Sequence, residues 1–227
     1  MNKKLKLYPE IWGFLAAILA ANLTLVFGKA CTPLIFFTAQ VSNGEWWRIF
    51  TFPFVHVSGY HLLLDAGAFL FLYHGLEETS ARRRLLTVAA CGAGSLGASL
   101  ISSPLTGGLC GLSGIAHGLM AVSALELMHT KDRALRNASI ICFWAVVLKS
   151  ILEAFAGHVL FSFLHFGSVG APVAACHAGG ILGGLIVFQG LGKIRNRRKK
   201  GYNEDDSLDV NHLAGAPASS HLGGCSF

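Results

Sequence analysis

The chain has 227 residues, 53% hydrophobic and only 13% charged, with a mean hydropathy of +0.55 and a formal net charge of +6. Long uncharged runs alternate with short basic clusters, a pattern that argues against a soluble domain and for a chain crossing a bilayer several times. The basic residues sit at the edges of the apolar runs, which argues against a nucleic-acid partner, and the six cysteines include no CxxC pair that would frame a metal site.

Residues 1–10 form a short N-terminus made basic by Lys3, Lys4 and Lys6. The apolar run 11–26 follows. A basic start before an apolar run is also the form of a signal peptide. This run is Ala-rich and shows no clear cleavage site, so it reads as a first membrane helix. The connection 28–53 is long, amphipathic and aromatic. Its Trp46, Trp47 and Arg48 suit the headgroup level, and a connection of this length is more often functional than idle. The second span, 54–76, holds His56, His61 and Asp65, and Arg82, Arg83 and Arg84 follow it.

The third span is 85–101. A loop, 102–110, with Pro104, Gly107 and Gly108, leads to the fourth span at 112–128. Lys131, Arg133 and Arg136 come next. The fifth span, 138–160, contains Lys149 and Glu153. A mostly uncharged loop, 161–171, precedes the sixth span at 172–191. The tail, 192–227, opens with six basic residues from Lys193 to Lys200 and continues as a polar segment that reads as disordered. Cys31 and Cys110 fall in expected outer connections, where a disulfide is an open possibility without support.

Cytoplasmic connections carry the excess of Lys and Arg. Applied here, the basic clusters at the N-terminus and after spans two, four and six all fall on one side, which predicts an all-α membrane protein with six spans, both termini inside. Residues 11–191 form the membrane domain, and the start of span four lies at the outer face.

Ionisable groups within spans are costly and mark candidate sites. Here they are His61, Asp65, His117, Lys149, Glu153 and His177. Ser113 stands in Gly111-Leu112-Ser113-Gly114 at the outer end of span four. His177 stands near the same level in span six, beside Gly179, Gly180, Gly183 and Gly184. Small residues four apart let helix backbones approach closely, which can bring Ser113 and His177 within hydrogen-bond reach. A serine and a base so placed are the minimum for nucleophilic catalysis. No third carboxylate is evident beside them, so the pair reads as a dyad. Lys149 and Glu153, four apart, read as a self-neutralising pair. His117, one turn from Ser113, reads as a buried structural histidine.

These motifs resemble the rhomboid family of intramembrane serine proteases. The resemblance rests on Gly44-Glu45-Trp46-Trp47-Arg48, on His56 and His61 followed by Asp65, on Gly111-Leu112-Ser113-Gly114, and on His177 with Gly179-Gly180. It implies a six-helix rhomboid-like bundle with Ser113 as nucleophile and His177 as base. It also implies an oxyanion site supported by His61, Asp65 and Gly111, with His117, Lys149 and Glu153 as further pocket residues. Within the family the chain is most similar to the rhombosortase branch, through Gly114-Ile115-Ala116-His117-Gly118 and through Lys149 with Glu153. That branch implies a substrate with a C-terminal Gly-Gly sorting tail. One departure stands out: rhomboids usually carry Asn where this chain has Asp65, and an ionised carboxylate repels a developing oxyanion. Asp65 is therefore expected either to be protonated or to orient His61. The implied partners are a transmembrane or C-terminally anchored protein substrate and the lipid bilayer of a bacterial inner membrane, with no cofactor. Two other classes stay open: a rhomboid-like protein that binds membrane segments without cutting them, and a small channel or transporter.

Overall fold

The structure, a computed structural model, describes residues 8–102, 108–160, 166–170 and 173–192. The tail from residue 193 and parts of the loops expected at 102–110 and 161–171 lie outside the described residues. Among the described residues the chain is all-helical, save for one isolated antiparallel bridge between Phe36 and Leu109. The α-helices are α1 (Glu10–Ala21), α2 (Thr38–Ser42), α3 (Arg48–Thr51), α4 (Gly59–Gly75), α5 (Ala81–Ser102), α6 (Ser113–Leu127), α7 (Arg133–Ala156) and α8 (Ala175–Gly192).

Four stretches are long and apolar enough to cross a membrane: Glu10–Phe27, Ala81–Ser102, Arg133–Ala156 and Ala175–Gly192. A fifth results if Arg48–Phe54 and Gly59–Gly75, bent by 95° at their junction, make one span. The helix at the expected fourth span, α6, has only 15 residues. Large apolar side chains stand on the outside of these helices, with Phe71, Ile101 and Phe155 each more than three-quarters exposed. Such a surface suits lipid, and the protein is an integral, multi-pass membrane protein.

Polar residues set the helix ends. Ser58 caps α4 by accepting from the His61 N–H at 3.0 Å, and Asp132 caps α7 by accepting from the Ala134 and Leu135 N–H groups. The α-helical part of the first span stops at Ala21 rather than running on to residue 26, and a 3₁₀ turn continues from Leu23 to Phe27. The cause is Asn22, which is buried. Its amide donates to the Ile18 and Phe54 carbonyls at 2.7 and 2.6 Å, and its oxygen accepts from the His56 N–H at 2.9 Å. Asn22 thereby ties the first span to the segment leading into α4.

The first connection is ordered too. Arg48 is buried within the protein. Its guanidinium bonds Glu45 and donates to the carbonyls of Thr32 and Ile35 at 2.7 and 2.5 Å. Trp46 and Trp47 remain exposed. This connection grips the segment entering α6: Phe36 and Leu109 exchange both backbone bonds, and the Gly111 N–H donates to the Phe52 carbonyl at 3.1 Å.

Helix α6 lies centrally, packed on α4, α5 and α7. Between membrane helices lipid removes most of the hydrophobic drive, so close packing of small residues does the work. The glycines of α8 divide into two stripes. A Cβ at Gly179 or Gly183 would strike the backbone of α5 at Gly94 or Ala90, and one at Gly180 would strike α6 at Gly114. The i, i+4 spacing read from sequence thus serves two neighbours. Cys31 and Cys110 are both free thiols.

Candidate active site

A cavity of about 200 Å³ opens at the start of α6, lined by His61, Asp65, Ser113, His117, Cys176 and His177 among others. Ser113 is the first residue of α6 and His177 lies in the first turn of α8. The backbone enters α6 through Gly111 at φ 100°, a left-handed conformation that favours glycine. A Cβ there would also come within 2.7 Å of Asp65 Oδ2 and 2.9 Å of His61 Nε2. Gly111 is required twice over, by its dihedral and by the two side chains it admits.

The first wall belongs to α4. Asp65 Oδ2 accepts the Ser113 N–H at 3.0 Å and lies 3.1 Å from His61 Nε2. His61 Nδ1 accepts a long contact from the Val57 N–H at 3.5 Å, which leaves Nε2 as the donor to Asp65. Asp65 thus contacts both His61 and the Ser113 backbone. His56 is fully buried, edge-on to His61 at 5.0 Å and 3.7 Å from Asp65, with neither ring nitrogen hydrogen-bonded.

The second wall is a chain of polar side chains. His117 stacks on His177, with centroids 3.9 Å apart and planes at 13°. His117 Nδ1 bonds the Ser113 carbonyl at 2.8 Å, so that nitrogen carries the proton. Its Nε2 then accepts from the Lys149 ammonium at 3.3 Å. Lys149 also bonds Glu153 Oε1 at 2.6 Å, and Glu153 Oε2 meets His177 Nδ1 at 2.6 Å. The Leu160 N–H completes the set on Glu153 at 3.0 Å.

The Lys149–Glu153 pair forms as expected, but it is more than self-neutralising. The expectation that no third carboxylate stands beside Ser113 and His177 is corrected: Glu153 is fully buried against His177. The clue in the sequence was depth, since Glu153 falls in the last turn of α7, toward the same end of the bundle as Ser113 and His177. His117, read as structural, bridges the serine backbone and the base. His117, Glu153 and His177 offer ligand atoms within 4.8 Å of one another, as a metal would need. The Lys149 ammonium already supplies a cation bonded to two of them.

Ser113 and His177 share the cavity without a hydrogen bond between them. The serine Oγ faces Cys176 Sγ at 3.8 Å, a neighbour the sequence did not single out. Such bonds are often open in unliganded sites and tighten with substrate.

The Rhomboid domain family matches residues 43–193. A Bacillus subtilis (strain 168) protein named "Putative rhomboid protease YdcA" is 28% identical over 170 residues, covering 71% of this chain and 79% of its own. No solved structure matches the chain.

Proposed function

Because the chain belongs to the rhomboid family, we propose that it is an intramembrane serine endopeptidase with Ser113 as nucleophile and His177 as base. The supporting observation is that both side chains line one cavity, with His177 Nδ1 held by a carboxylate so that Nε2 remains to take a proton. A rotation of Ser113 about χ1, away from Cys176, is the motion this reading requires.

In the reaction, Ser113 Oγ attacks a peptide carbonyl as its proton passes to His177 Nε2. The carbonyl oxygen takes the place of Asp65 Oδ2, where the Ser113 N–H and the His61 Nε2–H already converge. Each such donor contributes about 3 kcal/mol at comparable sites, and the N-terminus of α6 favours the same negative charge. His177 then protonates the leaving amine, and water resolves the acyl-enzyme.

The substrate is a membrane-anchored protein whose chain unwinds at the site, because a helix hides its carbonyls. The basic clusters support six spans with both termini inside, hence cleavage near the outer face of a bacterial inner membrane. A narrower substrate class, C-terminal sorting tails of the rhombosortase kind, draws support from His117, Lys149 and Glu153: the residues carrying that likeness gather around His177.

A fluorophosphonate probe tests the reading without knowledge of the substrate. Wild-type protein is expected to be labelled at Ser113, with labelling lost in Ser113→Ala and His177→Ala. An unlabelled wild type would favour a rhomboid-like protein that binds membrane segments without cutting them.

A further inference from the structure

We propose that Glu153 is a positioning residue that converts the serine–histidine pair into a three-membered relay, with Lys149 holding the carboxylate in its buried seat. This rests on the reading of Ser113 and His177 above.

Glu153 has no exposed surface. A lone carboxylate so placed would carry a large desolvation penalty. Three donors offset it: Lys149 on Oε1, the Leu160 N–H also on Oε1, and His177 on Oε2. An ionised carboxylate only accepts, so the proton between Glu153 and His177 belongs to Nδ1. Nε2 is thereby fixed as the lone-pair nitrogen, the form a general base requires. When the Ser113 proton moves to Nε2, the imidazolium is flanked by Glu153, which keeps its charge and takes up no proton. That proton later leaves with the amine, so the relay returns to its starting state.

The same chain of bonds steadies the nucleophile. Lys149 fixes the His117 tautomer, and His117 holds the Ser113 carbonyl and stacks on the base. The polar residues of α7 therefore act on both members of the pair without touching the reacting atoms. A pair that only neutralised itself would not spend its second carboxylate oxygen on the base.

The test uses the full chain in lipid nanodiscs, with two readouts. The first is the rate of fluorophosphonate labelling of Ser113. The second is 15N-histidine NMR, which reads the protonated nitrogen of His177 without reference to activity. Glu153→Gln is nearly isosteric, but its amide can donate to Nδ1 and favour the wrong tautomer. It is expected to fold, to slow labelling by roughly 10²–10⁴-fold, and to shift His177 toward the Nε2–H form. Glu153→Asp keeps the charge with a shorter reach and is expected to recover part of the rate. Labelling of Glu153→Gln within about threefold of wild type, or a wild-type His177 protonated on Nε2, would overturn the proposal. If the probe never labels wild type, the protease reading fails while the NMR arm still judges Glu153. If Glu153→Gln does not fold, the wild-type tautomer decides.

Discussion

Replacing Asp65 with asparagine should make Ser113 more reactive, although Asp65 is one of the two groups touching the serine backbone. At rest its Oδ2 accepts from the Ser113 N–H at 3.0 Å and from His61 Nε2 at 3.1 Å. On the proposed mechanism those donors are the ones the oxyanion needs, which would put the carboxylate where the oxyanion forms. A hydrogen bond to a charged group contributes about 1.5–3 kcal/mol and a neutral one about 0.5–1.5. An amide oxygen in the same seat should therefore be easier to displace by about 1 kcal/mol per bond, or about 2 kcal/mol for the pair. At 1.36 kcal/mol per decade that is roughly a 30-fold gain in rate. The same 2 kcal/mol is lost from the resting fold, so the thermal midpoint should fall as labelling rises. Second-order rates of fluorophosphonate labelling for wild type and Asp65→Asn, in matched nanodiscs, measure the effect. Labelling of the variant at or below the wild-type rate would refute the reasoning and give the carboxylate a positive role in the reaction.

Three further outcomes follow from other parts of the fold. Gly180→Ala places a methyl against the Gly114 carbonyl across the α6–α8 contact and should cost about 1–3 kcal/mol, whereas Gly97→Ala, with open space at its Cβ, should be neutral or slightly stabilising; thermal unfolding in detergent compares them. Arg84→Met removes a buried guanidinium that pairs with Glu10 and lies 3.6 Å over the Tyr8 ring; it should lower stability by about 3 kcal/mol while Ser113 labelling at 25 °C stays at the wild-type rate. Burial, with a smaller contribution from the Asp65 charge, pushes the Cys110 thiol up to about 11. Alkylation of Cys110 by iodoacetamide at pH 8 should run roughly 10²-fold slower than that of an ordinary thiol. It should quicken as pH rises toward that value and quicken again in Asp65→Asn, which mass spectrometry of the labelled peptide can follow.

What was legible in the sequence was whatever depends on position along a helix. Apolar runs gave the long helices, and the spacing of Gly179, Gly180, Gly183 and Gly184 gave a close helix contact. The glycines around Ser113 marked the entry to α6. What escaped were bonds between residues far apart in the chain. Asn22 looks like one polar residue in an apolar run, yet it ends α1 and holds the His56 backbone, 34 residues away. Arg48 beside two tryptophans reads as an interfacial anchor, and only the folded connection shows the carbonyls it serves. Glu153 satisfied its local rule by pairing with Lys149 one turn away. Nothing in that rule reveals that a carboxylate has a second oxygen to give, or that α8 brings a histidine to it.

Helix length explains why this site calls for a hydrogen-bond acceptor at position 65. In the proposed six-span arrangement α6 crosses the bilayer, yet its 15 residues rise only about 22 Å against roughly 30 Å of hydrocarbon, which would leave at least one end within it. The Leu127 end is followed by Lys131 and Arg133, which in that arrangement belong at the inner interface, so the end within the hydrocarbon would be the one that begins at Ser113. The first N–H groups of a helix have no partner within it, and inside a bilayer water cannot be relied on to supply one. Asp65 answers that demand by accepting the Ser113 N–H. An asparagine oxygen could accept the same bond, but a carboxylate accepts it more strongly and draws His61 to the same point. On the proposed mechanism the resting fold is thus stabilised by the interaction that a substrate carbonyl must replace, and the reactivity of Ser113 would be set by how firmly Asp65 holds its place.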